Sequence, residues 1–230
     1  MRHHLILATL VALPAAACSG GGDDHDATTT PLPAVRATAT AALTPAQAAE
    51  ADADPNLPGE YIDLPGIYGA PYPYGPPPPH QDGPIDYSAQ GLPPAGGFHW
   101  GPSDGWTGAC PPDPATAPLN CGPVPSGVYR QPWHAESLVH NMEHAGFVIW
   151  YNTDDQHVID DIEAFATEQA AAGAMIVVTP YPDMTAGTVA ITAWSRRDMF
   201  PVEEYDRSRL QTFIDAHLCR VDLEEFCSAQ

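Results

Sequence analysis

His140-Asn141-Met142-Glu143-His144 is the densest run of metal-competent side chains in the sequence. If the run is helical, His140 and His144 stand one turn apart on one face, with Glu143 beside them. Two imidazoles at that spacing form a bidentate grip for a transition-metal ion, and neutral histidine is the commonest ligand of that kind. Glu143 is then a third ligand, or an acceptor that fixes a histidine tautomer. Met142 adds a soft thioether that would matter only for Cu(I). Upstream lie His99 and, as an outer candidate, His134.

The same run reads H-x-x-E-H, the zinc signature of the inverted zincin peptidases, in which the glutamate is the general base. That chemistry needs a long helix in a large domain and a distant glutamate ligand. Here the run leads within two residues into an apolar strand. Another account needs no metal: histidines and a glutamate hydrogen-bonded to one another beneath a wrapping loop. The motif alone does not separate these. Ser137 lies close to His134 and His140, but no nucleophile elbow or Gly-rich oxyanion loop accompanies it, so no catalytic triad is read.

The elements that must position these residues begin at about residue 134. Gly146–Tyr151 is a continuous apolar run of strand length, as expected of a strand buried on both faces. Thr153 with Gln156 forms a capping box, and Val158, Ile162, Phe165, Ala166 and Gln169 follow helical spacing up to a stop at Gly173. The outward side of that helix is acidic, which reads as a solvated face. Met175–Thr179 and Thr188–Trp194 are two further strands. Asp206 caps a last helix with Leu210, Phe213, Ile214, His217 and Leu218 on one stripe. The order strand–helix–strand–strand–helix predicts a small α+β domain with a mixed sheet and a right-handed crossover between its first two strands.

Ahead of it, residues 59–133 are rich in proline and tyrosine and are expected to wrap the domain, with Pro76–Pro79 as a polyproline II run. Residues 18–58 have few large apolar side chains and read as a disordered acidic tether. Residues 1–17 form a short basic start and an apolar stretch too short to span a bilayer, so they read as a secretory signal. Small residues run up to Cys18 as in the lipobox of bacterial lipoproteins, which predicts a lipidated Cys18 and a stable membrane anchor. Ser19 after that cysteine points to the outer membrane where the host has one. The remaining cysteines, Cys110, Cys121, Cys219 and Cys227, are even in number and suit disulfides of an exported protein. Local pairing gives Cys110–Cys121 and Cys219–Cys227, with two other connectivities open.

Composition narrows the partners. Eight arginines, no lysine and 29 acidic residues give a formal charge of −21, or −22 once Arg2 leaves with the signal. Phosphate would be repelled, which excludes a nucleic-acid binder, and a polybasic membrane-surface protein is excluded likewise. The expected membrane contact is the lipid anchor alone.

Two pieces of the chain also resemble a bacterial family, number 3105 in the domain-of-unknown-function series. Pro93-Pro94-Ala95-Gly96-Gly97-Phe98-His99 is similar to its P-P-T-S-G-P-H motif, and Val139-His140-Asn141-Met142-Glu143-His144-Ala145 to its V-H-x-L-E-H-G. Later patterns resemble Ile176–Pro180, Thr192–Arg196, and Asp206, Arg207 and Phe213, so the resemblance spans about residues 90–218. It implies that His99, His140, Glu143 and His144 are shared motif positions. Ala95 and Gly96 lack the motif's hydroxyls, Met142 replaces its leucine and Ala145 its glycine. Three imidazoles from two separate motifs would suit a copper or zinc site, and family members are commonly exported or membrane-attached.

Overall fold

The computed structural model describes residues 50–69, 80–221 and 227. The signal segment, Cys18, most of the tether and the Pro76–Pro79 run lie outside the described residues. A mixed six-stranded sheet forms the centre of the fold. Its strands are β1 (Glu60–Tyr61), β2 (Gly127–Val128), β3 (Phe147–Asn152), β4 (Ile176–Pro180), β5 (Thr188–Ala193) and β6 (Arg196–Pro201), in the order β1-β6-β5-β3-β4-β2. β3 pairs parallel with β4 and antiparallel with β5. The helices are α1 (Leu64–Tyr68), α2 (Ala135–Glu143), α3 (Gln156–Ala171) and α4 (Arg207–His217). None of them is long and apolar enough to cross a membrane.

β3 explains the layering. Its side chains alternate, and both sets are buried. Phe147, Ile149 and Tyr151 join one core with Ile162 and Phe165 of α3 and Leu210, Phe213 and Ile214 of α4. Val148 and Trp150 face the other way, onto Leu138, Val139 and Met142 of α2 together with Leu64, Tyr87 and Trp133. The α+β class and the mixed sheet are therefore as the sequence indicates, with α3 as the crossover between parallel β3 and β4. Gly173, at φ +99°, ends the α3 segment.

Local differences have local causes. The cap of α3 is Asp155, whose carboxylate accepts from the amides of His157 and Val158, so the helix starts later than a Thr153 cap would place it. Leu218 falls outside the buried stripe of α4 and is 51% exposed, because the helix ends at His217. β6 is an additional strand. Its Arg196-Arg197-Asp198 start looks solvated, but Arg196 and Arg197 are buried. Arg196 donates to carbonyls of Asp52, Asp54 and Gly59, and Arg197 to those of Gln90 and Pro93.

Those bonds also order the chain ahead of the sheet. Asp52, within the stretch read as tether, is fully buried against Ser195 and Arg220. In the wrapping segment, Tyr87, Ala95, Trp100, Cys110, Cys121 and Val124 are buried, so it forms part of the core and not merely a cover. The structure joins Cys110 to Cys121 and Cys219 to Cys227.

Candidate metal centre

α2 is a nine-residue helix with no side-chain cap at its start. Asn141 fixes its position against the wrapping segment: its side chain accepts from the Val124 amide and donates to the Val124 carbonyl. Helical periodicity puts His140, Glu143 and His144 toward this segment, while Met142 lies on the opposite side within the apolar core. The Met142 thioether is thus spent on packing. His144 ends the helix, and Ala145 turns the chain into β3 at φ +59°. Gly146 is required there, since a Cβ would lie 2.5 Å from the Asn141 carbonyl oxygen.

His99 arrives from the other segment. Its loop is held by Gln90, which accepts from the Ala95 amide and donates to the Gly96 carbonyl, and by Arg197 on the Pro93 carbonyl. His99 Nε2 lies 2.8 Å from Glu143 Oε2, and His140 Nε2 lies 3.1 Å from His144 Nε2. A further histidine, His80, places its Nε2 3.3 Å from the same Glu143 oxygen. The donor atoms of His80, His99 and His140 lie within 4.8 Å of one another, as do those of His140, Glu143 and His144. His140 is common to both sets. His99 and His144 thus belong to one cluster through His140, without sharing a set of their own.

His134 stands apart: it is exposed at the N-terminal end of α2, with its ring against Trp100. Ser137 is equally remote from any nucleophilic role, because its hydroxyl donates to the Cys121 carbonyl beside the disulfide. His80 was not singled out by sequence. It follows a proline run, has no ligand-spaced neighbour, and reaches the site through a parallel bridge to His99.

Protonation in the cluster follows from its partners. His140 Nδ1 faces the Trp100 carbonyl at 2.5 Å, and His99 Nδ1 faces the Gly97 carbonyl at 2.9 Å. A carbonyl only accepts, so both Nδ1 atoms carry the proton. Burial, reinforced by His99 and His144, pushes the His140 pKa down to about 3, so the ring is neutral and its Nε2 lone pair points into the cluster. For Glu143 burial works toward protonation, but hydrogen bonds from His80 and His99 outweigh it and hold the carboxyl well below its usual range. Glu143 is an anion buried among imidazoles, and Trp106 stacks over His140 at 5.6 Å.

Either set is compact enough to hold an ion. Ligands about 2.0–2.1 Å from a tetrahedral zinc lie about 3.3 Å apart along an edge. The His140–His144 contact of 3.1 Å, within one set, falls near that edge length, and the His99–Glu143 and His80–Glu143 contacts of 2.8 and 3.3 Å link the two sets. Carbonyl-anchored imidazoles beside a carboxylate also match the usual surroundings of metal-binding histidines.

An α+β domain with a buried imidazole–carboxylate cluster is the class of protein these features define. More particularly, the chain belongs to the family described as protein of unknown function, DUF3105, which matches residues 114–228. The matched span holds His140, Glu143 and His144; His80 and His99 lie before it. No curated protein and no solved structure matches the chain.

Proposed function

We propose that this protein is an exported, lipid-anchored envelope protein whose domain binds a transition-metal ion, copper or zinc, through His99, His140 and His144, with Glu143 as ligand or orienting acceptor. The observation that carries the reading is the meeting of two three-residue donor sets at His140. The Trp100 carbonyl takes the Nδ1 proton of His140, so its neutral ring turns a bare Nε2 inward. His99 Nε2 donates to the Glu143 carboxylate at 2.8 Å, and a metal ion would take the place of that proton. A cation there would be held by the same imidazoles and carboxylate that hydrogen-bond to one another without it.

The anchor rests on the lipobox-like run ending at Cys18, and Ser19 supports an outer-membrane address where the host has that membrane. The charge of −21 makes nucleic acid an unsuitable partner. A hydrolase needs an open coordination position beside its glutamate. Glu143 is 3% exposed, with one oxygen engaged by two histidines, which favours a closed binding site.

The test is metal content of the chain purified without a His tag, beside His140→Ala and His144→Ala. The reading expects near-stoichiometric copper or zinc in the first and a large loss in both variants. Equal, sub-stoichiometric metal in all three would sink it.

A further inference from the structure

The cluster draws its donors from two separate segments. His80 and His99 belong to the stretch 80–106, ahead of the family match, whereas His140, Glu143 and His144 belong to α2. We infer that a single divalent ion clamps these segments together, with His80 as one of its ligands. The inference rests on the metal-binding reading and extends it.

The place of His80 is built. The amide of Gln81 donates to the His99 carbonyl at 2.9 Å, setting the two backbones side by side. The His80 ring stacks on His140 at 5.6 Å between centroids and meets His99 edge-on at 5.0 Å. Gly101 makes the room, because a Cβ there would collide with the imidazole at 2.1 Å. His80 is therefore held inside the site by packing on three sides.

The count of one ion follows from His140. Its Nδ1 is committed to the Trp100 carbonyl, leaving Nε2 as the only donor it offers to either set. Two ions would have to share that one lone pair. The charge of the ion follows from the donors. Met142 is in the core and Cys110 and Cys121 are bonded to each other, so the set is imidazole and carboxylate without sulfur. Such ligands suit Zn(II) or Cu(II) and not Cu(I).

The clamp has other anchors on the same helix. The Ile85 amide donates to Glu136 of α2, and Trp106 lies over His140. An ion that binds only when both segments are in place stabilises that docked state by mass action. Loading the site should then protect 80–106 as well as α2.

The experiment compares the full chain, stripped with EDTA and reloaded with Zn2+, by titration and by amide hydrogen exchange, alongside His80→Ala. The expected results are one Zn2+ per chain and exchange in 80–106 slowed about tenfold or more on loading. In His80→Ala the affinity should fall about tenfold or more, with near-UV circular dichroism unchanged. If the unaltered chain binds one ion while exchange in 80–106 does not respond, the clamp is wrong and metal binding by α2 stands. Wild-type affinity in a folded His80→Ala overturns His80 as a ligand. Two ions per chain overturn the shared-site count, and no Zn2+ uptake removes both readings. The wild-type exchange arm decides the clamp even if the variant fails to fold.

Discussion

The two faces of the sheet are held by different means. On one, α3 and α4 follow their neighbouring strands closely in sequence and bury Phe147, Ile149, Phe165, Leu210 and Phe213. On the other, α2 packs beneath a proline-rich segment whose polar groups find partners far away in sequence. The first face is an apolar contact that any side chains of suitable shape would stabilise. The second surrounds buried charge and imidazole, where each removed partner leaves another group exposed to a poor environment. Stability and chemistry are thereby assigned to opposite sides of β3.

The comparison is tested most severely on the apolar face. Phe213→Ala should cost about 3–5 kcal/mol, because Phe213 is fully buried and its cavity cannot close easily. Denaturant unfolding with and without EDTA should give the same loss. A metal-dependent loss would mean that the faces are energetically coupled.

Next comes the staple on the polar face. The Cys110–Cys121 bridge closes a loop of sequence separation 11, and its sulfurs pack by Ser137, three residues before His140. Replacing both cysteines by serine should cost about 2–3 kcal/mol in unfolding experiments. It should also weaken Zn2+ binding, because the loop leaving the bridge at Gly122 runs against the His140 ring. Unchanged affinity would separate the staple from the site.

A smaller, pH-dependent effect is expected at the end of α4. His217 donates from Nε2 to the Pro58 carbonyl, and burial, with Arg220 and Arg196 nearby, pushes its pKa down to about 4. Above about 6.5 the ring is neutral in folded and unfolded chains alike. As pH falls from there toward 4, the unfolded chain takes up the proton first, so stability declines; below 4 this contribution is flat. Unfolding midpoints measured in EDTA across that range should fall less steeply in His217→Gln. Equal slopes would refute the assignment.

The smallest change is a gain. Ala145 holds φ +59°, a conformation that costs an L-residue about 1–2 kcal/mol and glycine nothing comparable. Ala145→Gly should stabilise the chain by about 0.5–1 kcal/mol in thermal unfolding and leave metal affinity unaltered. A loss of stability would show that the methyl group's packing outweighs its strain.

This contrast also explains what sequence made legible. β3, β4, β5, α3 and α4 announce themselves because apolar periodicity is local, and α2 offered His140, Glu143 and His144 at recognisable spacing. β6 stayed hidden because Arg196 and Arg197 look solvent-facing until the carbonyls that receive them are known. Asp52 looked like tether for the same reason: its burial depends on Arg220 and Ser195, more than a hundred residues away. His80 is the clearest case. Nothing beside it marks a ligand, and only the bridge to His99 and the gap at Gly101 bring its ring into the cluster. Long-range hydrogen bonds leave little trace in composition or period.

The most direct measurement is a crystal of the full chain loaded with Zn2+ and examined at the zinc absorption edge. The account predicts one anomalous peak in the cluster, bonded to His140 Nε2 and to further imidazole or Glu143 donors at about 2.0–2.2 Å. A cluster without a peak, its histidines and Glu143 still hydrogen-bonded to one another, would contradict it.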